Sequence, residues 1–220
     1  ISVDLHKYGY AAKGASTVLY RNKNIRKYQI FACTDTTAYT VINPTMRSSK
    51  SGGPMAGAWA LLNYLGEEGY MRIVKAVQEA TQKLIQGINA IPGLEVLGLP
   101  AMCMFSFKSD VFNVYQLADR MAKRGWYIQG QFSTDLTPRN LHVSVNFGTM
   151  HQVDAMLKDL RECVNEVKAM DPIDTEAIRS MVAAALQGPD PETAFNQLAA
   201  SAGLTGTDLP EEMAFINEVL

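Results

Sequence analysis

Ile1-Ser2-Val3-Asp4-Leu5-His6-Lys7-Tyr8-Gly9-Tyr10 opens the chain, and its reading decides the rest. A short strand-like run ends in Asp-x-His-Lys, which leaves one lysine between a histidine and two tyrosines. A lysine attacks a carbonyl only as the free amine, and both burial and a neighbouring cation favour that form. His6 is the neighbour, and Val3, Leu5, Tyr8 and Tyr10 are the expected apolar walls. A His-Lys pair alone is weak evidence, because most such pairs lie on solvated surfaces. The surrounding sequence has to decide.

Outward from this stretch, Ser16–Tyr20 alternates and is β-rich, so it reads as a second strand. Asn22–Arg26 reads as a turn. Residues 28–53 are rich in Thr, Ser and Gly and read as a long functional loop. Gly53-Pro54 starts a helix, with proline in its first turn; Gly66 and Gly69 interrupt it. From Tyr70 to Ala90, Ile73, Val74, Val77, Ala80, Leu84, Ile85 and Ile88 recur at three- and four-residue intervals and predict an amphipathic helix. Strands are predicted at 94–97, 102–107, 126–131 and 141–147, with helices at 114–124 and 153–167. Together these make a small α+β domain with helices on one face of a sheet. Thr149-x-x-Gln152 fits a capping box before the last of these helices. Beyond Met170, proline and glycine breakers separate helix-like stretches at 174–187, 191–202 and 210–220.

The stretch Asp4–Gly14 with Val18-Leu19-Tyr20-Arg21 resembles the cofactor-lysine segment of the sphingosine-1-phosphate lyases, within the group II decarboxylase-like family of pyridoxal-phosphate (PLP) enzymes. The resemblance continues through Tyr28-Gln29, Pro44-Thr45, Ser49, Gly52-Gly53-Pro54, Ala58-Trp59-Ala60 and Leu65–Tyr70, and more loosely Arg124-Gly125-Trp126. It covers roughly the first 165 residues. It implies an α/β fold, the C-terminal part of a fold-type-I PLP enzyme. Residues 1–68 would end the large cofactor domain, 69–170 would form a small α+β domain, and 171–220 a helical tail. The ring-stacking and pyridinium-pairing residues of the family lie upstream of its lysine, so the resemblance implies a longer polypeptide.

The resemblance also assigns roles. Lys7 would hold PLP covalently and move protons at the reacting carbon, while His6 would contact the cofactor phosphate. Asp4 would brace the strand end or orient His6. Lys13 corresponds to a lysine facing the substrate phosphate. Ser49, Gly52 and Gly53 match a phosphate-gripping turn that crosses a dimer interface. There, Lys50 stands where arginine is expected, Ser51 for proline and Ser48 for glycine. Lys50 keeps the charge but loses the bidentate fork of arginine. The implied reaction is retro-aldol cleavage of a phosphorylated long-chain amino alcohol by a homodimer with a shared site. The alternatives are α-decarboxylation of an amino acid, or an inactive paralogue. The tail lacks the Tyr-Gly-Met-Ala-like ending of the lyases.

Composition narrows the field. The 220 residues are 47% hydrophobic, enough for a sizeable core, and the net charge of −2 makes no electrostatic case for nucleic acid or an anionic membrane. Cys33, Cys103 and Cys163 are scattered and odd in number, which reads as thiols of a reducing compartment, hence cytoplasmic. No apolar run has the length of a membrane span. His142 and His151 have no metal-ligand spacing, and His142 reads as a packed strand histidine. Trp59 and Trp126 read as core anchors.

Overall fold

The computed structural model describes residues 1–35, 39–45, 49–171, 173–201, 213, 214 and 217. They fall into two compact units, Ile1–Arg72 and Ile73–Leu220.

In the first unit, β1 (Ser2–Val3) pairs antiparallel with β2 (Thr17–Val18), with Ser2 opposite Val18 and Val3 opposite Thr17. The strands are shorter than the alternation predicts, because the chain turns away after Val3. The segment read as a turn is a short helix, α1 (Lys23–Arg26), whose N-terminus is capped by Asn22 Oδ1 accepting from the Ile25 amide at 3.1 Å. A 3-10 turn, Lys27–Gln29, follows. Within the predicted long loop lies a hairpin of β3 (Phe31–Cys33) and β4 (Val41–Asn43), Phe31 opposite Asn43. Three-residue strands are too short to give a period, which is why the sequence hides them.

Helix α2 (Gly53–Asn89) begins in this unit and is broken at Gly66, whose φ of 56° and ψ of −172° leave the helical region. A side chain at such a φ is strained, so of the two predicted interruptions the one at Gly66 falls where glycine is needed, whereas Gly69 stays helical. Little is buried here: Ala15 and Ala58 are buried, while Tyr28, Phe31, Ile42, Trp59 and Tyr64 are each more than 60% exposed. Trp59 is therefore no core anchor; nothing in its own unit covers it.

The second unit has a complete core. Four antiparallel strands lie in the order β5 (Glu95–Val96), β6 (Met104–Lys108), β8 (Asn140–Ser144), β7 (Gln129–Gln131). The register sets Phe105 against Val143 and Phe107 against Leu141, so these four share one face; all are buried. Successive side chains alternate between faces, so Ser106 and His142 share the other. The apolar face packs with Leu84 and Ile88 of α2, Leu117 and Met121 of α3 (Val114–Ala122), and Leu157, Leu160 and Val164 of α4 (Val153–Lys168). Each fully buried large apolar side chain contributes about 1.5–3 kcal/mol. Of the predicted α2 stripe, Val77, Leu84 and Ile88 are buried, whereas Val74 is exposed.

Asn113 caps α3, its Oδ1 accepting from the amides of Tyr115 at 2.8 Å and Gln116 at 3.3 Å. Helices α2 and α4 meet at a glycine: a Cβ on Gly87 would stand 2.4 Å from Leu157 Cδ1. The predicted capping box does not form. Thr149 makes no side-chain cap bond to the 3-10 turn Met150–Gln152. Instead Asn146 Oδ1 accepts from the amides of Gly148 and Thr149, and Thr149 Oγ1 accepts from the Asn146 amide. Asparagine outcompetes threonine because its side chain closes a local turn. Trp126 is partly buried against the core and donates Nε1–H to Asp159 at 2.7 Å. The helices α5 (Thr175–Leu186) and α6 (Pro191–Ser201) pack on each other. Of the predicted helix at 210–220, only residues 213, 214 and 217 are among those described.

Candidate active site

Residues 4–16 form a closed loop at the end of the β1–β2 ladder, with Lys7 one turn into it. Its backbone is folded by the amide of Lys7 donating to Asp4 O (3.1 Å), Tyr10 to Lys7 O (3.0 Å) and Ala11 to Leu5 O (2.9 Å). Across the loop, both the amide and Nδ1 of His6 donate to Ala15 O, at 3.1 and 2.8 Å. A carbonyl can only accept, so Nδ1 carries a proton and Nε2 is the nitrogen left for another partner.

Gly9 is required by close approach: a Cβ there would lie 2.5 Å from Leu5 O and 2.9 Å from Leu5 Cα. Tyr10 takes up a left-handed conformation, φ 58°, which costs on the order of 1 kcal/mol for a non-glycine residue. The tight turn is held from outside by Tyr70, whose Oη donates to Gly9 O at 2.8 Å.

Asp4 is the electrostatic centre of this loop. Its carboxylate accepts from Ser16 Oγ at 2.5 Å and pairs with Lys7 Nζ at 2.7 Å. The Lys7 ammonium, then the Ser16 hydroxyl, hold its pKa down to about 2 from 3.8. Asp4 thus braces the loop, and it does not orient His6, whose partner is Ala15. The apolar enclosure expected around Lys7 is not provided by these residues. The Lys7 side chain is 61% exposed, and Tyr8 and Tyr10 are themselves exposed. The amine instead rests against the Asp4 carboxylate, open to solvent.

Lys13 is exposed just before Gly14, which has a φ of 103° and would place a Cβ 3.3 Å from Pro54 Cγ. The loop's far end therefore abuts the first turn of α2, where the Ala56 amide donates to Gly52 O at 2.9 Å. This brings Lys13 to the neighbourhood of Gly52 and Gly53. Ser49 and Lys50 are exposed in the connection leading to α2. Among the described residues, no hydrogen bond or ion pair joins them to Lys7 or His6. Arg47 and Ser48 lie outside the described residues.

Neither Gly52 nor Gly53 is crowded: a Cβ on Gly52 would have nothing within 4 Å, and one on Gly53 would meet only Ser51 Oγ at 3.6 Å. In the second unit, a cavity of about 250 Å³ is lined by Trp126, His142, Thr149, Gln152 and Met156, among others. It holds none of the residues predicted to carry chemistry. Sequence reasoning missed Ser16, Ala15 and Tyr70. Ser16 lay within a predicted strand, Ala15 acts through its carbonyl, and Tyr70 is 61 residues from its partner.

Residues 179–220 match the family model described as the C-terminal putative HTH domain of pyridoxal-dependent enzymes. The chain is 38% identical over 190 residues to the sphingosine-1-phosphate lyase of Arabidopsis thaliana, covering 86% of this chain and 34% of that protein. It thus spans about a third of the length of this curated relative. Among solved structures, a sphingosine-1-phosphate lyase of Burkholderia pseudomallei matches with a TM-score of 0.70 at 32% identity, over 95% of this chain and 42% of that one. Glutamate decarboxylase of Lactobacillus brevis matches with a TM-score of 0.65 at 16% identity, over 78% of this chain and 41% of that one, a likeness of fold alone.

The Asp4–Lys7 pair makes a pH prediction. A carboxyl whose pKa is depressed by folding stabilises the fold fully above its unfolded value of 3.8; that contribution is lost as the pH falls toward about 2. In Lys7→Met, which removes the main cause, the Asp4 carboxyl midpoint followed by carbon NMR should rise toward 3.8; an unchanged midpoint contradicts the pairing. The matches in sequence and in fold converge: the chain is similar to the C-terminal part of sphingosine-1-phosphate lyases, and its fold is that of the C-terminal part of fold-type-I pyridoxal-dependent enzymes.

Proposed function

We propose that the chain is the C-terminal part of a PLP-dependent carbon–carbon lyase that cleaves a phosphorylated long-chain amino alcohol between Cα and Cβ. The Lys7 loop carries this reading: an exposed amine on a loop closed by Asp4–Ser16 and His6–Ala15 bonds. The residues suit PLP. Lys7 Nζ would hold it covalently, and His6 Nε2 is left for its phosphate. Lys13, Lys50, the Ser49 hydroxyl and the Gly52 amide would supply cationic and donor groups for phosphate at the start of α2, joined by the Gly53 amide once it leaves its long 3.4 Å bond to Ser51 Oγ. Bound PLP supplies the electron sink that lets the Cα–Cβ bond break heterolytically.

In that reaction Asp4 aims the amine, and Lys7 moves the proton at the reacting carbon once it leaves the carboxylate. The lyase reading is preferred to decarboxylation because the relatives above 30% identity are lyases, whereas the decarboxylase likeness stands at 16%. Treating the PLP-loaded intact protein with borohydride, then mapping its peptides, should place the pyridoxyl group on Lys7. Label on Lys13 or Lys50 instead contradicts the assignment.

A homodimer completes the site in this reading. Among the described residues Gly52 meets nothing that would ask for a glycine, which suits a backbone approached by a group from a second subunit. On the first arm of α2, Trp59 and Tyr64 are 69% and 85% exposed, a surface suited to protein contact. The same exposure supports dependence of the first unit on the rest of a longer polypeptide. Among the described residues no helix is long and apolar enough to cross a membrane. A cytoplasmic location is part of the proposal, supported by three cysteines that form no disulfide. Sedimentation of the intact protein at micromolar concentration should give a dimer; a monomer with full activity contradicts the shared site.

A further inference from the structure

The segment that matches a putative HTH domain has one basic residue, Arg179, against six acidic ones: Asp190, Glu192, Asp208, Glu211, Glu212 and Glu218. Binding to a nucleic-acid backbone rests on cations that displace counterions from phosphates, and this segment has the opposite charge. The structure offers another role for it. The carboxylate of Asp119, on α3 and only 6% exposed, accepts from two consecutive backbone amides far along the chain: Met213 N–H to Oδ1 and Ala214 N–H to Oδ2, both at 2.8 Å.

These amides open a helical turn, since the Asn217 amide donates to Met213 O at 2.9 Å. The N-terminal amides of such a turn have no partner within it, and a carboxylate is their strongest acceptor. Ala214 is 4% exposed and belongs to the core with Tyr115, Leu117 and Met121. Asn217 Nδ2 lies 3.4 Å from where a Cβ on Gly130 would stand, beside the Tyr115 ring at 3.1 Å. Any side chain on Gly130 would therefore crowd both.

We propose that the part of the HTH-like segment around Met213 and Ala214 is an intramolecular cap on the small domain rather than part of a nucleic-acid reader, and that Asp119 is the anchor that docks these two residues. The geometry is that of a two-pronged clasp joining residues 94 and 95 positions apart, with an alanine seated in the core beneath it. An anchor of this kind acts through the segment it holds, so its loss frees the turn and leaves the sheet in place.

The test is amide hydrogen exchange by NMR on the intact protein. In the wild type the Met213 and Ala214 amides should be protected. In Asp119→Asn, which keeps one acceptor oxygen and loses the charge, their exchange should quicken by about tenfold or more, the range for a hydrogen bond to a charged group. The amides of β6 and β8 should keep their rates. Ala214→Arg, which leaves Asp119 intact but cannot seat in the core, should release the same two amides and decides the matter if the first variant fails to fold. Unprotected Met213 and Ala214 amides in the wild type overturn the proposal, as does unchanged protection in a folded Asp119→Asn or Ala214→Arg. Micromolar binding of a random-sequence DNA duplex at low salt, with loss of that protection, would also overturn it and make the segment a reader.

Discussion

Asp4 stands between a hydroxyl and an ammonium, and most of what can be said about the site follows from that arrangement. The Ser16 contact ties the two ends of the 4–16 loop beyond the last strand pair. The Lys7 contact fixes where the amine stands. The Lys7 ammonium and then the Ser16 hydroxyl hold its pKa well below the usual carboxylate range, so at neutral pH the carboxylate is ionised and both contacts are in place. The His6–Ala15 bonds then fix the imbalance that matters chemically: one ring nitrogen is spoken for and the other is left for an incoming group. A lysine so held has no apolar wall from its own loop, so the desolvated setting that the proposed role asks for would come from groups outside this loop.

The two units differ in how far they are finished. The second has a continuous core beneath a four-stranded sheet and three helices, with Ala214 seated in that core. The first buries little more than Ala15 and Ala58 and leaves large aromatic and aliphatic side chains exposed. Apolar surface on that scale is ordinarily covered by protein. The chain spans about a third of its relatives' length, and the contrast follows the division into the units Ile1–Arg72 and Ile73–Leu220.

The sequence was legible wherever a long period existed. The α2 stripe of Val77, Leu84 and Ile88, the β6 and β8 strands and the amphipathic α4 all emerge from spacing, because one face of each is buried along several turns or residues. The β3–β4 hairpin stayed hidden since three-residue strands have no period. The capping box was misread because Asn146, four residues nearer the sheet than Met150, closes its own turn first. Lys7, His6 and Asp4 were readable as a motif, but the groups that position them were not. Ser16, the Ala15 carbonyl and Tyr70 act across 12, 9 and 61 positions, and backbone carbonyls leave no mark in a sequence. The exposure of Lys7 and Trp59 was misjudged for a related reason: apolar neighbours in sequence do not enclose a side chain when the loop turns them outward.

Amide exchange at His6 and Ala11 in the intact protein without cofactor tests most directly whether this loop is built before anything binds. The amides donate to Ala15 O and Leu5 O inside the loop, so both should be protected in the absence of PLP. Both should exchange severalfold faster in Ser16→Ala, which removes one clamp on Asp4. Exchange at the rate of an unstructured chain until PLP is added would mean that the cofactor builds the loop, and would contradict the account.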